Sequence, residues 1–105
     1  MTTYDKQHNT WFISRHQGSI DWIKGQNIHI DKFAPHLDEK IALKPGDTII
    51  GSLPVHIIAN LNKGGVRFIN LQIELPPELR GVELNARQIN LLAPKLQEFR
   101  VMPVN

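Results

Sequence analysis

A chain of 105 residues, 41% of them apolar and 21% charged, has the size and balance of one globular domain with a single core. Its net charge is +2 and no run of Lys or Arg occurs, so long nucleic acid, which leaves a strong basic footprint on its binders, is not an expected partner. The chain has no cysteine, which excludes disulfides, thiolate metal centres and a cysteine nucleophile.

No apolar run approaches the roughly 18–20 residues that span a bilayer, and no membrane association is expected. The opening segment, MTTYDKQHNT, lacks the apolar core of a secretory signal. A cytoplasmic protein is therefore expected, with residues 1–9 as a polar, flexible leader and residues 10–105 as the folded domain.

The first element after the leader is TWFIS (10–14), short, β-branched and aromatic, and apolar on both faces, as suits a strand buried from two sides. It ends abruptly in Ser14, Arg15 and His16, and Gly18 and Ser19 follow. SIDWIKGQ (19–26) places Ile20 and Ile23 at helical spacing, with Gly25 as the stop. NIHIDKF (27–33) alternates like a strand, and residues 34–46 form a connection that stops at KPG. DTIIGS (47–52) is a second continuously apolar strand.

LPVHIIANLNKGG (53–65) is the clearest helix, with Pro54 expected at the first helical position and Gly64 and Gly65 at its end. VRFINLQIEL (66–75) alternates, with Ile69, Leu71, Ile73 and Leu75 on one face, and PPELRG is a loop. In NARQINLLAPKLQEF (85–99), Asn85 and Gln88 make a capping-box start. Ile89, Leu92, Leu96 and Phe99 then recur at helical spacing, so a helix is expected that Pro94 kinks or divides.

Strands alternating with helices predict an α/β fold: a single-domain, Rossmann-like, mostly parallel sheet with helices on its faces and right-handed crossovers. A faint internal echo, T-W-F-I-S against T-I-I-G-S, aligns Ser14 with Ser52 at the carboxyl ends of two strands. Ligands of open α/β sheets bind outside those ends, where free N–H groups and helix dipoles favour anions. One such turn carries Ser14, Arg15, His16, Gly18 and Ser19; the other carries Gly51, Ser52, Leu53, Pro54 and His56. Arg15 offers a planar fork for a phosphate, and glycine permits close backbone approach. His16, His36 and His56 each follow an apolar segment, and histidine exchanges protons near neutral pH.

The bland alternatives are that Ser14 and Ser52 cap helices, that Gly18 and Gly51 serve turn geometry, and that Arg15 and His36 are solvated surface groups. No H-x-x-x-H pair and no carboxylate cluster at a strand end points to a metal site, and none is expected. Neither Ser14 nor Ser52 sits in a G-x-S-x-G elbow, and no phosphate-loop or dinucleotide fingerprint occurs. Trp11, Phe12 and Trp22 read as core.

The segments WFISRHQGSIDWIK, DKFAPHLD, KPGDTIIGSLPVHIIANL and ELPPELRGVELN resemble a small family of CRISPR-associated accessory proteins found with type III systems. The resemblance runs in matching order over roughly residues 10 to 101, and its most specific feature is the pairing of SRH-x-G with G-x-LPVH. That family is similar to CARF proteins, whose Rossmann-like domains dimerise and bind cyclic oligoadenylates. The resemblance implies a homodimeric ring nuclease that binds cyclic tetra-adenylate and cuts it into linear di-adenylates with 2′,3′-cyclic phosphate ends, without a cofactor. The alternative it admits is a module that binds or sequesters the ring without cutting it.

Under the resemblance, Arg15 would clamp the scissile phosphate, and Ser14 with the N–H groups around Gly18 and Ser19 would position it. His16 is the first choice for general acid or base and His56 the second. Gly51, Ser52 and Leu53 would line the pocket, with His36 and Arg67 as weaker additions.

Overall fold

The computed structural model describes residues 8–105. Its elements are β1 (Thr10–Ile13), α1 (Gln17–Lys24), β2 (Lys32–Ala34), β3 (Thr48–Gly51), α2 (Val55–Lys63), β4 (Arg67–Gln72), a 3-10 turn (Pro77–Leu79), α3 (Ala86–Leu91) and β5 (Lys95–Phe99). They build one five-stranded sheet in the order β2-β1-β3-β4-β5. The first four strands are parallel and β5 lies antiparallel to β4. This is the mostly parallel, Rossmann-like α/β architecture that the alternation of elements predicts.

The continuous apolar runs of β1 and β3 are explained by burial on both faces. On one face Phe12, Ile50 and Leu71 pack with Trp22 and Ile23 of α1 and Ile89 of α3. On the other, Ile13, Ile49 and Phe68 pack with Ile58 of α2 and with Val66. Phe12, Ile23, Ile49 and Phe68 are completely buried. Trp11 joins the second face as a partly buried residue, so of the three aromatic residues expected in the core, Phe12 and Trp22 are fully inside it.

At the amino ends of the strands, the buried Asp47 carboxylate accepts hydrogen bonds from the N–H of Asn9 and of Lys44, both at 2.9 Å. Charge-assisted bonds of this kind offset the cost of burying the carboxylate. Of the leader expected over residues 1–9, residues 1–7 lie outside the described residues. Asn9 belongs to the folded structure, because its carbonyl also accepts from the N–H of Thr48.

Three local expectations are corrected. The chain from 27 to 31 is not a strand; only Lys32–Ala34 join the sheet, and Asp31 instead turns its carboxylate onto the N–H of Thr10 at 2.7 Å. Pro54 is the N-cap of α2 and not its first helical residue, with an extended ψ of 147°. The helix expected over 85–99 ends at Leu91, and residues 95–99 form β5. Pro94 cannot continue a helix and disfavours helical geometry at the residue before it; Ala93 takes φ 50° there. Leu96 and Phe99, which are spaced like one helical face, pair with Leu71 and Phe68 and so point to opposite faces of the sheet. The capping box of α3 does form: Gln88 N–H donates to Asn85 Oδ1 at 2.8 Å and Asn85 N–H to Gln88 Oε1 at 2.9 Å.

Helices α1 and α3 lie side by side on one face of the sheet. Trp22 Nε1 donates to Asn90 Oδ1 at 3.2 Å across their contact. Gly18 lies against the segment that leads into α3, and a Cβ there would collide with the carbonyl oxygen of Leu84. In an open helix, Gly18→Ala would gain about 1 kcal/mol of helix propensity. Here the backbone collision outweighs that gain, and a net loss of about 1–2 kcal/mol is expected, read from the urea midpoint at unchanged slope.

Candidate functional site

Strand β1 pairs with β2 on one side and β3 on the other, so the chain reverses its direction of growth across the sheet between β1 and β3. Crossovers that diverge in this way leave a crevice at the carboxyl ends of the two central strands. A groove of about 500 Å³ lies there. Its walls come from three strand ends: Ser14, Arg15 and His16 after β1; Pro35, His36 and Leu37 after β2; and Gly51, the last residue of β3, with Ser52 and Leu53 after it. Ile13, Leu71, Ile73 and Leu75 supply an apolar floor, and Ser19 reaches in from α1. An apolar slot of about 270 Å³ adjoins it, sharing His16, Ser19, Ile73 and Leu75 and closed by Gly81, Val82, Glu83, Leu84 and Ile89.

The weak sequence echo has a structural counterpart. Thr10 is in register with Thr48, Trp11 with Ile49 and Phe12 with Ile50. Ser14 and Ser52 therefore leave the sheet at equivalent positions of neighbouring strands. Their hydroxyls are used differently. Ser14 Oγ accepts from the His16 N–H at 3.1 Å, tightening the turn, while Ser52 Oγ donates to the Leu71 carbonyl at 3.1 Å.

His16 is the N-cap of α1, with extended backbone (φ −98°, ψ 114°), and its side chain does not cap the helix. The imidazole instead presents Nδ1 to both carboxylate oxygens of Glu83, each at 3.3 Å. Arg15 is exposed and makes no hydrogen bond or ion pair among the described residues. His36 is exposed on the opposite wall, its Nε2 3.8 Å from Asp38 Oδ2.

Among the described residues the groove is lined by one guanidinium and two imidazoles and by no carboxylate, although a carboxylate stands beside each imidazole, Glu83 at His16 and Asp38 at His36. Helices α1 and α2 both start beside it without a side-chain cap and without an acidic residue in the first turn. Their orphan N–H groups and positive dipole ends therefore keep their attraction for an anion.

Several expected site residues lie elsewhere. His56, the second residue of α2, is exposed and lines neither cavity. Gly18 is buried against Leu84, so its missing side chain serves the α1–α3 approach and not a ligand's. Arg67 opens β4 at the amino end of the sheet, opposite the groove, and forms a two-pronged ion pair with Glu98 at 2.7 and 2.9 Å. Conversely, Glu83 was not foreseen. It is 67 residues from His16 in a loop with no helical or strand period, so no spacing rule connects the two.

Among the described residues, no group of three or more His, Cys, Asp or Glu side chains is arranged to hold a metal ion, and no helix is long and apolar enough to cross a membrane. What fold and groove together define is a small α/β domain with an anion-suited crevice at its topological switch point. The comparison with known families is more specific: residues 11–102 match the family described as "Putative CRISPR-associated protein (Cas_VVA1548)", and the chain belongs to it. No curated protein and no solved structure matches the chain.

The hydrogen bond from Arg67 holds the Glu98 carboxyl below its usual value. The stability this pair contributes is present above the unfolded carboxylate's range and fades as the pH falls through the lowered folded value. Both side chains are about half exposed, which limits that contribution to about 1 kcal/mol or less. Arg67→Ala should accordingly shift a urea midpoint only slightly and leave the affinity of the groove for a phosphate ligand unchanged; a loss of affinity would return Arg67 to the site.

Proposed function

We propose that this CRISPR-associated protein is a ring nuclease that binds cyclic tetra-adenylate and cleaves it, without a metal ion, into linear di-adenylates ending in 2′,3′-cyclic phosphates, switching off type III signalling. The observation that carries the proposal is the groove between β1 and β3, lined by Ser14, Arg15, His16, His36, Gly51, Ser52 and Leu53 and, among the described residues, by no carboxylate. A cyclic tetranucleotide is a compact ring of four phosphates. A homodimer would present two copies of the groove to it across a two-fold axis, one to each half of the ring.

The reaction needs three things from the protein. The ribose 2′-oxygen must be held in line with the neighbouring phosphorus and the departing 5′-oxygen. The charge that builds on the phosphorane oxygens must be met by fixed donors. Two protons must move, one off the 2′-hydroxyl and one onto the 5′-oxygen. Arg15 is suited to the second task, since a guanidinium matches two phosphate oxygens at once. The uncapped first turn of α1 adds N–H groups aimed the same way. His16, on the groove wall and with its side chain not engaged in capping, is suited to the third. His56 stands outside the groove, which leaves His16 as the favoured proton-transfer group.

Purified protein incubated with cyclic tetra-adenylate in excess EDTA should release di-adenylates over many turnovers, followed by chromatography. His16→Ala should lower the rate by about 10²–10⁴-fold. Arg15→Ala should weaken binding by about tenfold or more, the usual cost of a lost charged hydrogen bond. Intact ring co-eluting with the protein would replace the nuclease by a sequestering module, and intact ring without binding would remove both.

A further inference from the structure

A charged group beside the His16 ring comes from 67 residues further along the chain. Both oxygens of Glu83 stand 3.3 Å from His16 Nδ1. Both side chains are about two-thirds exposed, 64% and 66%, so the contact contributes little to stability. Its geometry is nevertheless set by the packing of the helices. His16 is the N-cap of α1, and Glu83 precedes Leu84 and the Asn85 cap of α3. The missing side chain of Gly18 lets the Leu84 carbonyl lie against α1, and the Asn85–Gln88 capping box and the Trp22–Asn90 hydrogen bond hold the same two helices. Among the described residues Glu83 is also the one carboxylate lining either cavity; the other charged or titratable groups that line them are Arg15, the chain neighbour of His16, and His36 on the far wall.

We infer that Glu83 is a positioning residue for His16. It accepts the Nδ1–H of the neutral imidazole and so selects one tautomer, leaving the unprotonated Nε2 on the opposite side of the ring, free to accept a proton. The inference rests on the reading of His16 as the group that takes a proton in ring cleavage. In that step the 2′-oxygen forms its bond to phosphorus as its proton passes to Nε2. The phosphorus–5′-oxygen bond breaks, and the 5′-oxygen takes a proton from solvent. The imidazolium formed in this way faces the Glu83 carboxylate, which stabilises it until it returns its proton to water. Gly18 acts in the same device, by allowing the approach that brings Glu83 within reach.

The test compares wild type with Glu83→Ala and Glu83→Gln, two changes at an exposed position that should leave the melting temperature unchanged. Long-range ¹H–¹⁵N spectra of the His16 ring are recorded in mildly alkaline buffer, where an ordinary imidazole is neutral. Wild type should show the Nδ1–H tautomer, and Glu83→Ala the mixture of an unconstrained ring. With cyclic tetra-adenylate as substrate, both variants should lose about tenfold or more in kcat at little-changed KM, since the group lost acts on proton transfer and not on binding. The same ring spectrum in wild type and Glu83→Ala, or an unchanged kcat, would overturn the inference. A wild-type protein that does not turn over would instead sink the nuclease reading, while the ring spectrum would still decide whether Glu83 orients His16.

Discussion

The structure depends on where the sheet reverses. Because β1 is flanked by β2 on one side and β3 on the other, the connections leaving the two central strands run apart and a groove lies at their carboxyl ends. Most of the candidate site residues are gathered at that opening. The two central strands deliver Ser14–Arg15–His16 and Gly51–Ser52–Leu53 to it, and the loop after β2 adds His36. At the other ends of the strands the polar groups have a different task. There the Asp47 carboxylate binds the backbone of two approaching segments, and Arg67 pairs with Glu98. The buried Asp47 needs its polar atoms satisfied internally, whereas the exposed Arg15 at the opposite ends has no such requirement.

Glycine and proline steer the chain toward this arrangement. Gly18 draws α1 and the segment before α3 together, and with them His16 and Glu83. Gly65, with φ 82°, closes α2 so that Val66 and β4 can return beside β3. Pro94 stops α3 after six residues, and the chain folds back as an antiparallel edge strand. That last strand pairs Leu96 with Leu71 and Phe99 with Phe68, adding cover to the sheet next to β4.

Parts of the site were legible because they are local. A strand that ends in Ser-Arg-His before a helix announces a turn with donors, and the repeated Thr-to-Ser spacing of 10–14 and 48–52 reflects strands that truly lie in register. His36 belongs to the groove for the same reason, since it closely follows a strand of the same parallel set. Gly18 and His56 both follow strand ends in sequence, yet neither lines the groove. One is used up in helix packing, and the other has turned away along α2. Glu83 was beyond reach, since its partner lies 67 residues earlier.

What the sequence by itself determined is the alternation of strands and helices, the buried character of β1 and β3, the capping of α3 and the concentration of polar groups where the central strands end. All of these follow from the period and chemistry of short segments. Only the tertiary structure decided that 95–99 is a strand, because a short segment with apolar residues three apart fits either state until a partner strand is present. Only the tertiary structure, too, brought Glu83 to His16 and took Gly18, His56 and Arg67 out of the groove. Those outcomes depend on which helix packs against which, and that is fixed by contacts between residues far apart in the chain.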